Sequence, residues 1–292
     1  MAGDTSEREG LLPTDALHGL QIGISVSDST DLTRLGLLDT HFRLALGEIA
    51  RCVLVSGGQI TYGGHLDPDG YTAFLVQELH RYSRRDGPLH VCLAWPEHRR
   101  IALTDLSQER DSLGLYGDIT CLSVDGAPLD PAAGRGEAAI PEEDNNVRAR
   151  SLTSLRRYMA ENTDGRIFLG GKREGFQGAL PGLVEEAVIA LEHAQPIYLA
   201  GGFGGVTLDI IKALQVDGGS WFPSLADAPA PDERLTSGLE RLTEIRNRED
   251  WQGLDNGLSE EENRKLAATH RSSEIAALIG LGLGRRFARS EE

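Results

Sequence analysis

Between residues 21 and 214, short apolar runs take turns with segments whose apolar residues recur at helical spacing. That alternation limits the possible folds more than any other feature of the chain. QIGISVS (21–27), RCVLVSGG (51–58), LHVCLAW (89–95), DITCLSV (118–124), GRIFLGG (165–171) and PIYLAGG (196–202) read as strands. Helical spacing covers 32–50, 71–85, 150–163, 183–194 and 206–214. Most of the strands are apolar on both sides, which suits a parallel sheet covered by helices on each face. The expected architecture is therefore α/β: a doubly wound, mostly parallel sheet over 19–217, after a loose leader at 1–18. Beyond it, 218–292 turns polar and helical, and is expected to pack on the sheet domain or on a partner. Ser259, with Glu262 three residues on, has the form of a capping box that starts one of these helices. Residues 126–146 and 217–232 are rich in Pro, Gly and acids and read as loops.

Three of the expected strands end in paired glycines: Gly57-Gly58, Gly170-Gly171 and Gly201-Gly202. In an open parallel sheet, ligands bind outside the carboxyl ends of the strands, so these glycines are expected to gather where a ligand lies. The richest stretch is GGKREGFQGALPGLVEEA, where Lys172 and Arg173 sit among glycines and Gly182 opens a helix. Backbone N–H groups of such a turn approach anions, and the helix dipole adds to the attraction. GGFGG (201–205), which includes Gly204, is a second glycine turn into a helix. Neither stretch is GxxxxGK[ST], nor GxGxxG directly after a strand. Glu185 and Glu186 fall in the first helical turn. They either complement the dipole or accept hydrogen bonds from ribose hydroxyls and stabilise an oxocarbenium-like centre. Asp28 and Ser29, after the first strand, either contact a ribose or phosphate or cap the next helix. Gly63, Gly64 and Tyr71 are candidates for another wall, with His65 near its rim.

Composition narrows the partners. A net charge of −16 argues against nucleic acid or an anionic membrane as a partner, while a small anion remains accessible to a locally positive loop. Cys52, Cys92 and Cys121 lie in apolar runs without CxxC spacing, which reads as buried thiols in a reducing compartment. The polar start MAGDTSEREG has no signal-like apolar segment, and no run approaches a membrane span. A cytoplasmic protein is expected. HLDPD has metal-ligand types without a metal spacing, so no metal and no resident cofactor are expected. Trp95, Trp221 and Trp251 read as packing residues; for Trp95, at a strand end, the alternative is stacking on a base.

ALPGLVEEA resembles the PGGxGTxxE signature of Lonely Guy-type phosphoribohydrolases, with Gly182 followed by Glu185 and Glu186. An arginine on the preceding helix belongs to that pattern, and NNVRARSLTSLRRYM places Arg148 and Arg150 similarly. Together with SGGQITYGGHLDPDGYTAFLVQEL and AGGFGG, the stretch is similar to the SLOG superfamily, which takes in the Smf/DprA and Lonely Guy proteins. Within it, the chain resembles a bacterial cluster found beside conflict systems. The resemblance spans roughly 19–215. It implies a Rossmann-like fold, a nucleotide-derived ligand such as ADP-ribose or a cyclic nucleotide, and a sensor role in defence. By the same resemblance Gly171, Lys172 and Arg173 border a phosphate, Arg148 or Arg150 neutralises it, and Glu185 and Glu186 hold ribose hydroxyls. The chain departs from the signature at Leu183, where the family has threonine, and by inserting KREGFQGAL before Pro181. Two alternatives stay open: an N-glycosidic hydrolase using Glu186 with Arg150, and a scaffold whose extension docks an effector. Doubly wound domains often pair through helices, so a homo-oligomer is expected by analogy.

Overall fold

The computed structural model describes residues 15–82, 86–216 and 232–287. Six strands form one sheet: β1 (Gln21–Ser27), β2 (Gln59–Gly63), β3 (Leu89–Leu93), β4 (Gly117–Cys121), β5 (Gly165–Gly170) and β6 (Ile197–Ala200). Their order is β4-β3-β2-β1-β5-β6, and every neighbouring pair is parallel. The helices are α1 (Asp39–Val55), α2 (Tyr71–Tyr82), α3 (Trp95–Arg99), α4 (Leu103–Leu113), α5 (Asn145–Glu161), α6 (Gly182–Glu192), α7 (Gly205–Ala213), α8 (Glu233–Arg246), α9 (Glu260–Ala268) and α10 (Ser272–Phe287).

Side chains alternate across the pleat. Ile22, Ile24 and Val26 of β1 join a core with Phe42 and Ile49 of α1, Leu75 of α2 and Ile279 of α10. On the opposite face, Phe168, Ile197 and Leu199 pack with Val184 and Val188 of α6, Ile210 of α7 and Leu242 of α8. Leu155 and Met159 of α5 close the same side over Cys92. The C-terminal helices complete these layers. α8 lies on α6 and α7, α9 reaches β6, and α10 runs along α1. Gly282 permits the approach of α10, since a Cβ there would meet the Tyr198 ring at 2.7 Å. The capping box of Ser259 and Glu262 starts α9 as expected.

One expected strand is wrong. Residues 51–55 finish α1, and 56–58 form the turn after it. RCVLV continues the helical stripe of Phe42, Leu46 and Ile49 through Val53, and a short apolar run cannot by itself distinguish strand from helix. Gly57 and Gly58 donate back to Leu54 and Val53, and lead into the amino end of β2. They therefore stand at the end of the sheet opposite the expected ligand. The strand itself is QITYG, so Gly63-Gly64 takes the place assigned to Gly57-Gly58. Carboxyl-end glycine pairs are thus found on β2, β5 and β6. The helix expected from residue 32 starts at Asp39, after a 3-10 turn at Thr33–Leu35 that Gly36 ends at φ 70°. The short helices α3 and α4 were not expected. The boundary placed at 217/218, most of the 217–232 loop, Trp221 and most of the 1–18 leader lie outside the described residues.

Candidate functional site

Connections run outward from β1 through β2 and β3 to β4 in one direction, and from β5 to β6 in the other. The order therefore reverses between β1 and β5, and a crevice outside the carboxyl ends of these two strands is where such sheets take ligands. Asp28 stands at the end of β1. Its carboxylate accepts from the Tyr71 hydroxyl at 2.7 Å and pairs with Lys172 Nζ at 3.1 Å, from the loop after β5. Partial burial works against the Asp28 charge, but the Tyr71 hydrogen bond and Lys172 outweigh it and hold the carboxyl below its ordinary range. Burial and the same bond push the Tyr71 phenol up. Asp28 and Lys172 are both exposed on the rim.

Next to this rim is a closed corner. Ser29 is buried; its hydroxyl donates to the Phe203 carbonyl at 2.7 Å and accepts from the Asp31 amide at 3.2 Å. Arg173 pairs with Asp209 at 2.6 Å and Asp31 at 2.8 Å, and donates to the Gly205 carbonyl at 3.0 Å. The first donors of α7 are also taken: the Gly205 amide by Asp31 at 2.7 Å, and the Val206 amide by the Gly171 carbonyl at 3.0 Å. Gly204 sits at φ 70° against Asp31, and a Cβ on Gly202 would lie 1.9 Å from the Thr269 carbonyl oxygen. Ser29, Arg173, Gly201, Gly202 and Gly204 thus knit β1, β5 and β6 together. Arg173 is a brace, because its guanidinium is spent on two carboxylates and a carbonyl.

The start of α6 is different. Pro181 precedes it without a side-chain cap, and Glu185 N–H is the first to bond within the helix, to the Pro181 carbonyl. The amides of Gly182, Leu183 and Val184 are the usual orphan donors of a helix start and have no acceptor among the described residues. One turn on, the two glutamates part company. Glu185 is buried, and its two oxygens accept from Thr153 and Arg156 on α5. Glu186 keeps 14% of its side chain exposed and lies 3.7 Å from Arg156 Nε and 3.4 Å from Arg166 Nη1. Arg166, on β5, is wholly buried beside Gly23 of β1. Burial drives the Arg166 guanidinium below its ordinary range, against the pull of Glu186.

Between the ends of β2 and β3, beneath the 122–144 connection, lies a cavity of about 350 Å³ walled by His65, Glu97, Arg100, Arg148 and Gln177, among others. Arg148 enters from the first turn of α5 and donates to the Glu142 carbonyl. Arg100 pairs with Glu97 at 2.8 Å and Asp67 at 2.9 Å. Trp95 holds the connection down through a 3.1 Å bond to Glu142, and Arg99 covers its ring at 4.7 Å.

A family model described as SLOG cluster2 matches residues 16–266, well over half of the chain. The chain belongs to the SLOG cluster2 family. No curated protein matches it. The SLOG match covers the sheet and runs through α8 into α9.

Within this SLOG domain, the structure gathers Asp28, Gly63, Gly64, Gly170, Gly171, Lys172, Gly182, Glu185, Glu186 and Arg148 at the carboxyl end of the sheet. Gly57 and Gly58 are not among them. Arg150 points away and pairs with Asp125, both well exposed. The arginine that reaches the glutamates is Arg156, which the sequence reading passed over. Its signal was available, since helical spacing sets 156 beside Leu155 and Met159 on the inward stripe of α5, where a charge demands a partner. Arg150→Ala is therefore expected to leave the thermal midpoint within about 1 °C of wild type, as exposed ion pairs contribute little. Differential scanning fluorimetry checks this.

Among the described residues no group of three or more His, Cys, Asp or Glu could hold a metal, and no helix is long and apolar enough to cross a membrane. Cys92 and Cys121 are buried and Cys52 partly so. Burial pushes their thiols up to about 12, 11 and 11 respectively. A thiol reagent at pH 8 is expected to label the native protein slowly and all three sites quickly in denaturant. Fast native labelling of Cys92 would contradict the packing of α5 over β3.

Proposed function

We propose that this SLOG domain binds a nucleotide-derived small molecule, of ADP-ribose or cyclic-nucleotide type, and acts as a ligand sensor in bacterial defence signalling. The observation that carries the reading is the start of α6. Three amides without acceptors stand one turn before a partly exposed carboxylate, at the sheet's switch point, with Lys172 on the same rim. Amides and lysine suit a phosphate, and the carboxylate suits ribose hydroxyls. The cavity beside Arg148 offers room for the remainder of such a ligand. Association with anionic polymers is disfavoured by the overall charge of −16. The sensor is taken to work in the cytoplasm as a homo-oligomer that hands its state to an effector protein.

A hydrolytic reading has one observation in its favour, the contact of Glu186 with Arg156. Cleavage of an adenine N-glycosidic bond also needs a proton for the departing base. The charged neighbours of Glu186 are arginines, which do not release protons at neutral pH. These neighbours favour binding of adenine nucleotides without turnover. Chromatography of ADP-ribose and AMP after hours with the protein tests it. Intact ligand is expected, and time-dependent release of free base, lost in Glu186→Gln, would establish the hydrolase instead.

A further inference from the structure

Arg166 is an expensive residue for a β-strand. Its side chain is fully buried, and none of its three guanidinium nitrogens has a hydrogen-bond partner among the described residues. On this face Phe168 follows it along the strand and Gly23 lies across from it, with the Thr163 hydroxyl also beside Gly23. An apolar side chain would fill such a place without the desolvation cost of a guanidinium. Among the described residues, its one ion pair is with Glu186, at 3.4 Å.

Glu186 shows what that pair does. Glu185, its neighbour, is saturated by Thr153 and Arg156. Among the described residues no group donates a hydrogen bond to the Glu186 carboxylate; two guanidinium groups face its two oxygens at 3.4 and 3.7 Å. Charge restrains it from both sides while its lone pairs stay unclaimed, and an ionised carboxylate can accept several bonds. Arg166 has no exposed surface, so it cannot touch a ligand itself.

We propose that Arg166 is a positioning residue, which from within the core fixes the Glu186 carboxylate in the orientation that accepts a vicinal diol of a ribosyl ligand. This rests on the reading of the α6 start as a nucleotide site. Fixing a carboxylate before the ligand arrives removes an ordering cost from binding.

The test uses AMP and 2′,3′-dideoxy-AMP as probes, titrated calorimetrically into wild type, Arg166→Met and Arg166→Lys, each checked by circular dichroism. Wild type is expected to favour AMP by about tenfold or more, the scale of hydrogen bonds to a charged group. Arg166→Met is expected to bind both probes alike, at the wild-type affinity for the dideoxy compound, and Arg166→Lys to recover a preference for AMP. Should Arg166→Met fail to fold, Arg166→Gln, which keeps donors without charge, carries the same comparison. A folded neutral variant that keeps the full preference overturns the assignment of Arg166. So does one that loses affinity for both probes equally, because that marks general damage to the site. Wild type that binds neither probe, or binds both equally, removes the diol reading of Glu186 itself and the proposal with it.

Discussion

Glu186→Gln is expected to lower the thermal midpoint by roughly 10 °C, far more than a surface glutamate would. The substitution is nearly isosteric, so packing is kept. What it removes is the counter-charge of Arg166, which is wholly buried and has no hydrogen-bond partner to fall back on. Removing one partner of a buried pair costs about 3–5 kcal/mol, and a chain of this size loses about 2–4 °C per kcal/mol. Arg156 cannot take over, because it is a second cation beside the same carboxylate. Adding Arg166→Met to Glu186→Gln is expected to recover most of the loss, since the double variant buries no unpaired charge at that position. Thermal denaturation of the two variants and wild type reads this directly. A Glu186→Gln midpoint within a degree or two of wild type would mean that the Arg166–Glu186 pair does not exist as described.

A chain ending at Arg271 is expected to lose cooperative folding altogether. It lacks α10, which places Ile275, Leu278, Ile279 and Leu283 in the core shared with α1 and β1. Burial of four such side chains contributes about 6–12 kcal/mol, against a total stability of about 5–15 kcal/mol for a typical domain. The flank of α1 along which α10 runs would also be laid bare, and new apolar surface favours aggregation. Far-ultraviolet circular dichroism during heating should show a broad, non-cooperative loss of signal. A sharp transition near the wild-type midpoint would show that α10 is an appendage on an independently stable sheet domain.

The sheet was legible because its strands are buried on both faces, and continuous apolar runs such as GRIFLGG stand out against amphipathic helices. The 51–58 run failed for the same reason: RCVLV is apolar enough for a strand, yet it finishes the inward stripe of α1. With β2 at QITYG, the glycine pairs lie at the carboxyl ends of β2, β5 and β6. The sequence placed both glutamates at the start of α6 and assigned both to ribose hydroxyls, singling out Glu186 only for the hydrolytic alternative. Whether Glu185 or Glu186 keeps its lone pairs free depends on Thr153 and Arg156, on another helix. Arg173 looked like a phosphate ligand from its neighbours in sequence. Asp31 and Asp209, far off along the chain, make it a brace. Long-range ion pairs of this kind leave no local pattern to read.

The proposed function requires the crevice between β1 and β5 to bind an anionic, nucleotide-derived ligand. Calorimetric titration of ADP-ribose into wild type and Lys172→Glu tests it most directly. Lys172 is exposed, so reversing its charge should spare the fold and strike the rim it shares with Asp28, next to Gly171, which lies against Leu183 of α6. Saturable binding to wild type, weakened at least tenfold in Lys172→Glu and falling with added salt, is the result this account expects. Equal affinity in the two proteins, or no saturable heat with wild type, would contradict it.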